Sequence, residues 1–115
     1  MPVTARLNEL LALETGWDGN EAPSPTNDAV LELALNLDRF MADDTPTPAL
    51  LPTPEAGVQL EWHAGEWDIE IEFAGNGKAA YWGQDHRAGT EICGAMPDFR
   101  ALRNALALLT ARRRG

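Results

Sequence analysis

The segment from Gly57 to Gly83, GVQLEWHAGEWDIEIEFAGNGKAAYWG, restricts the fold more than any other part of the chain. Val58, Leu60 and Trp62 alternate with Gln59, Glu61 and His63. Trp67, Ile69, Ile71 and Phe73 alternate with Asp68, Glu70 and Glu72. A period of two marks strands with one buried and one exposed face. Two turn signals divide the segment into three antiparallel strands. The first is His63-Ala64-Gly65-Glu66. The second and stronger is Asn76-Gly77, because a type I′ turn requires positive φ at both central residues. The third strand returns over Lys78 to Gly83.

Turn positions predict a register. A two-residue loop at Ala64-Gly65 sets Trp62 beside Trp67, Glu61 beside Asp68, Leu60 beside Ile69 and Gln59 beside Glu70. A loop at Asn76-Gly77 sets Phe73 beside Ala80, Glu72 beside Tyr81 and Ile71 beside Trp82. Trp62, Trp67, Ile69, Ile71, Phe73 and Trp82 then share an apolar face. Gln59, Glu61, His63, Asp68, Glu70, Glu72 and Tyr81 share the other and make up the candidate partner-binding surface. Like charges set directly opposite each other cost a few tenths to about 1 kcal/mol. Glu61 facing Asp68 breaks that local rule, as functional surfaces tend to.

Charge is unevenly distributed. The 115 residues carry a net −9, yet residues 99–115 hold five arginines and no acid: Arg100, Arg103, Arg112, Arg113 and Arg114. The remainder sets eighteen acids against four bases, a balance of about −14. Such a body repels nucleic acid and attracts cationic partners. Direct nucleic-acid binding is not expected, except through the Arg112-Arg114 tail. The length suits one domain over 1–115, with 99–115 as a C-terminal helix and basic tail. No apolar run reaches the roughly 20 residues that span a bilayer, and the first residues lack a signal peptide's layout. A single cysteine, Cys93, excludes an internal disulfide framework and fits a reducing cytoplasm.

Around the meander the pattern is helical or proline-rich. Residues 4–14 read as a helix capped by Thr4, with Leu7, Leu10 and Leu11 buried and Gly16 past its end. Trp17-Asp18 lies between two glycines in an ordered loop, Trp17 plugging the core. Ser24-Pro25 predicts a second helix, serine as N-cap and proline at its first position. Val30, Leu33, Ala34, Leu37 and Phe40 or Met41 form its buried stripe, with Glu32, Asn36 and Arg39 opposite. Pro46, Pro48, Pro52 and Pro54 forbid a helix and impose an extended crossing, in which Ala49-Leu50-Leu51 suits a short edge strand. Thr90 to Gly94 reads as a further strand. Phe99, Leu102, Ala105, Leu106 and Leu109 predict the stripe of a final helix whose last arginines suit its negative end.

The segments GWDGNEAPSP and PTPEAGVQLEW, in that order, resemble a group of small uncharacterised bacterial and phage proteins with a GWDG-x-x-A-x-P loop and a PTP-x-x-G-V-Q-x-E-W strand segment. The resemblance covers residues 7–73. It implies a shared framework at Gly16, Trp17, Asp18, Gly19, Pro54, Gly57, Glu61 and Trp62, and no assigned activity. Ala56-Gly57 departs from an expected glycine pair.

Chemistry is sparse. His63 with Glu61, Asp68 and Glu70 offers one imidazole among carboxylates, whereas catalytic zinc sites usually have at least two histidines or cysteines. Glu61 facing Asp68 would raise one pKa, but a flat sheet face is no cleft. Ser24 is the only serine and is taken as a cap; Cys93 has no adjacent histidine and reads as a buried structural cysteine. GNG at 75–77 is a turn, not a phosphate loop.

The expected fold is therefore α+β: two N-terminal helices, an antiparallel three- to five-stranded β-meander, and a C-terminal helix packed on one sheet face. The expected function is that of a cytoplasmic, non-enzymatic, acidic protein-binding regulator, an antitoxin, immunity-like protein or inhibitor. It would need no cofactor and would use its acidic sheet face against a basic protein partner. Two alternatives stay open. One is a nucleic-acid-mimicking inhibitor of a defence or nucleic-acid enzyme, of phage type. The other is a small metal-binding protein or enzyme at Glu61, His63 and Asp68. A homodimer is a further option.

Overall fold

The computed structural model describes residues 24–114. The predicted helix at 4–14, the GWDG loop and the Trp17 plug lie outside the described residues. Within them the order is α1 (Asn27–Phe40), β1 (Ala49–Pro52), β2 (Val58–Ala64), β3 (Trp67–Phe73), β4 (Ala79–Asp85), β5 (Thr90–Ala95) and α2 (Arg100–Arg114). The strands form one antiparallel sheet in the order β1-β2-β3-β4-β5. α1 packs over β2 and β3, and α2 over β4 and β5. Their stripes close one core with the inner sheet face: Leu33, Phe40, Leu60, Trp62, Ile69, Ile71, Phe73, Leu102, Leu106 and Leu109 are all buried.

α1 starts later than Ser24-Pro25 predicts. Thr26 is the N-cap, accepting from the Ala29 N–H at 3.1 Å. Tertiary ties select it over Ser24. Its hydroxyl also donates to the Gly75 carbonyl at 2.6 Å, and its N–H donates to the Ala56 carbonyl at 3.0 Å. One residue thus fastens the helix start to two sheet loops. The buried stripe is also rotated. Ala29 and Asn36 are inside, whereas Ala34 is exposed. Asn36 is tolerated there because its amide donates to the Glu32 carbonyl at 2.7 Å.

The proline-rich crossing ends in β1, which pairs with β2 as Ala49-Leu50-Leu51 predicts. The Trp62 indole N–H donates to the Pro46 carbonyl at 2.8 Å, and its ring meets Phe40 edge-on. The PTPEAGV segment is the hairpin joining the two strands. Thr53 and Gly57 exchange backbone and side-chain bonds at 2.9–3.0 Å, and Ala56 adopts φ 67°. Gly57 is required by proximity: a Cβ there would stand 2.6 Å from the Phe73 carbonyl oxygen.

Both predicted registers are corrected. The β2–β3 turn is Gly65-Glu66, with φ 56° and 65°, so Ala64 pairs Trp67, Trp62 pairs Ile69 and Glu61 pairs Glu70. This shift of two residues keeps every side chain on its predicted face and lets all of Val58–Ala64 pair with all of Trp67–Phe73. The β3–β4 shift is odd and has larger consequences. Ala74 and Lys78 close a three-residue loop, the Ala74 N–H donating to the Lys78 carbonyl and the Gly77 N–H to the Ala74 carbonyl, both at 2.8 Å. Gly77 takes φ 85°. Three-residue hairpins of this kind place glycine in the left-handed region, and a one-residue change of register turns a whole strand over. Ile71 therefore pairs Tyr81, Glu70 pairs Trp82, and the two aromatics exchange faces.

Candidate functional site

The outer sheet face, turned away from both described helices, carries the candidate residues. Register places them in rows. Leu51, Gln59, Glu72, Ala80 and Ala95 form one row. Ala49, Glu61, Glu70, Trp82 and Cys93 form the next. His63, Asp68, Gln84 and Glu91 form the last. Six of the seven predicted residues, Gln59, Glu61, His63, Asp68, Glu70 and Glu72, are gathered here. Tyr81 is not. It is buried on the helix side, near Phe99 at 6.3 Å between ring centroids, with its ring over Gly94. Trp82 takes its place on the outer face and is 39% exposed. With Gln59, Glu70, Glu72, Ala80 and one border of Tyr81 it lines a shallow depression of about 200 Å³.

The predicted opposition of Glu61 and Asp68 is replaced by two others. Glu61 faces Glu70, so like charges do meet across β2 and β3. Asp68 instead faces His63 and accepts from its Nδ1 at 2.6 Å, while its second oxygen meets His86 Nε2 at 2.6 Å. His63 Nε2 reaches Glu61 at 3.3 Å, and the Gln59 amide donates to the other Glu61 oxygen at 2.6 Å. A hydrogen-bonded chain Gln59–Glu61–His63–Asp68–His86 thus runs across the rim. Bonding to Asp68 first, then to Glu61, raises the His63 pKa above 6.5. Asp68 is lowered, mainly by His63 and then by His86. The β4–β5 loop delivers His86: its N–H donates to the Glu66 carbonyl at 2.8 Å, bringing the imidazole back over β3. Sequence distance alone hid this partner.

Among the described residues no group of three or more His, Cys, Asp or Glu is arranged to hold a metal ion. Each Asp68 oxygen is bonded to a different imidazole. Cys93 is exposed on the outer face, not buried in the core as the sequence reading has it.

A second charged cluster was missed by sequence. Asp85 ends β4 on the inner face and is buried. Arg112 reaches it from α2 with two bonds, 2.7 and 2.9 Å, and also donates to the Gly65 carbonyl at 3.2 Å. The N–H groups of Arg87 and Ala88 donate to the same carboxylate at 3.0 and 3.3 Å. Arg112, and then these backbone donors, hold the Asp85 pKa down to about 2 despite burial. The only sequence signal was the parity of Asp85 with Tyr81 and Gly83, readable only once the loop length is known. Arg112 therefore locks the fold and is not part of a free basic tail.

No family model, curated protein or solved structure matches this chain. Among the described residues no helix is long and apolar enough to cross a membrane.

Proposed function

We propose that this chain is an acidic protein-binding regulator of the inhibitor or antitoxin type, which engages a basic partner through the outer face of its sheet. The observation that carries this reading is the composition of that face: Glu61, Asp68, Glu70, Glu72 and Glu91 share it with a tryptophan that is 39% exposed. Tryptophan in a charged setting suits arginine, because the indole face attracts a guanidinium while a flanking carboxylate pairs with it. Binding energy concentrates on such aromatic anchors, and the surrounding charge speeds encounter and selects against acidic partners. Glu61 and Glu70 set like charges across β2 and β3, a local cost that a cationic partner would relieve.

The test is capture from the native host by the wild-type protein at low and high salt, alongside Trp82→Ala and the triple variant Glu61→Lys, Glu70→Lys, Glu72→Lys. One salt-sensitive basic protein retained by the wild type and lost by both variants is the expected result. Retention of that partner by the triple variant would show the acidic face to be irrelevant. If the captured partner is a nucleic-acid enzyme that releases its substrate on binding, the carboxylates act as phosphate mimics.

A further inference from the structure

The two edges of the sheet are built differently. Along β1 the residues that bond to β2 are Ala49 and Leu51, as the Thr53 N–H donating to the Gly57 carbonyl confirms for the same parity. Pro52, and Pro48 just before the strand, fall at positions facing away from β2 and carry no N–H to offer. That edge is blunted. Along β5 the bonded positions are set by the Met96 N–H donating to the Ala79 carbonyl at 3.0 Å. Bonding alternates in an antiparallel ladder, so Gly94, Ile92 and Thr90 point to β4. Glu91, Cys93 and Ala95 point their backbone groups outward, and all three residues are exposed. Among the described residues neither proline nor lysine protects this edge.

We infer that β5 is a pairing edge, to which a second copy of this chain adds its own β5 antiparallel about a two-fold axis beside Cys93. With a bonded pair placed on the axis, one register is selected. Only outward-pointing residues can lie on the axis as a bonded pair. Ala95 on the axis would set Cys93 against Pro97, which lies beyond the strand and has no N–H. Glu91 would set two carboxylates opposite each other. Cys93 sets Glu91 against Ala95 of the second copy and opposes no like charges.

The helical layer supports the same arrangement. Leu102, Ala105, Leu106 and Leu109 face the sheet. Arg103, Ala107, Thr110 and Ala111 line the groove beside the end of α1. Helical spacing puts Asn104 and Leu108 on the flank of α2 away from that groove, and Leu108 is 42% exposed. Strands lie about 4.8 Å apart, so a helix seated over β4 and β5 stands about 5 Å from the axis. Two such helices then lie about 10 Å apart, at the spacing of packed helices. The axis is perpendicular to the sheet and keeps both acidic faces on one side. Trp82 sits beside Cys93, so the two tryptophans come about three strand spacings, roughly 14 Å, apart. The net charge of −9 on each copy opposes assembly, and salt relieves it.

Sedimentation of the full chain at about 100 μM, where even a weak edge-paired dimer is populated, tests this directly. A dimer of twice 12.5 kDa is expected, its fraction rising with ionic strength, opposite to the salt response of basic-partner binding. Cys93→Glu and Leu108→Glu, both at exposed positions, should each raise the dimer Kd at least tenfold while circular dichroism stays native. Diamide, which takes up the two hydrogens lost by the thiols, should link Cys93 to Cys93 of the second copy, since Cα atoms of a bonded pair lie about 5.5 Å apart. Leu108→Glu should suppress that link. A monomer at high salt, or a dimer indifferent to both substitutions, would overturn the inference.

Discussion

Asp68 and Asp85 belong to neighbouring strands, on opposite faces of one sheet, and each accepts several hydrogen bonds. They do different work. Asp85 is buried, receives both arms of Arg112 and two backbone N–H groups, and ties the end of α2 to the sheet. Asp68 is solvent-facing and holds two imidazoles that bond nothing in the core. The lesson is that hydrogen-bond count does not separate structural from available groups; what matters is whether the partners are taken out of water. A buried charge stripped of its partner is strongly destabilising, whereas exposed pairs contribute little.

This contrast breaks most readily at Asp85. Asp85→Ala, or Arg112→Ala, should lower the melting temperature by on the order of 10 °C or more, whereas Asp68→Ala should leave it within about 2 °C. Equal losses in thermal melts would erase the distinction. Next in size is the inner-face close approach at Gly94, where a Cβ would come within 2.4 Å of the Tyr81 hydroxyl. Gly94→Ala should cost about 1–3 kcal/mol in urea unfolding, because the buried Tyr81 ring, packed near Phe99, would have to shift.

The acid limb of stability separates the same two groups. Asp85 has a folded pKa of about 2 against an ordinary 3.8. Its contribution is therefore complete above 3.8 and is lost as pH falls toward 2. Asp85→Asn should flatten that loss in denaturation followed across the interval. His63 works in the opposite sense. Its folded pKa lies above 6.5, so its contribution is full below 6.5 and fades as pH rises through the folded value. An NMR titration should place the His63 midpoint above 6.5 in the wild type and closer to 6.5 in Asp68→Asn.

The smallest effect should be a gain. Glu70→Lys replaces a like-charged pair with Glu61 by an opposite one, and should stabilise the fold by a few tenths of a kcal/mol while weakening partner binding. If Glu70→Lys destabilised the protein, the outer face would be serving the fold and not a partner.

Much of this architecture could be read from the chain. The alternation of Trp67-Asp68-Ile69-Glu70-Ile71-Glu72-Phe73 identified both faces of the central strand, and the Phe99-to-Leu109 spacing identified the last helix. The acidic candidates on β2 and β3 were legible because an error of two residues in a hairpin leaves their faces unchanged. Tyr81 and Trp82 were not legible. Both are large aromatics acceptable on either face, so only the loop length could order them, and Asn76-Gly77 suits a two-residue turn as well as the observed three-residue one.

By itself, the sequence determined the side-chain alternation, the amphipathic helices and the excess of acid, because each follows from residues close together in the chain. Only the tertiary structure decided which aromatic faces solvent, which aspartate Arg112 clamps and that His86 joins His63 on Asp68. Those outcomes depend on residues 18 to 27 positions apart being brought within hydrogen-bond reach, and on the parity of a single loop. The GVQLEW–WDIEIEF meander thus set two faces, and the closing of residues 75–77 determined what the outer one presents.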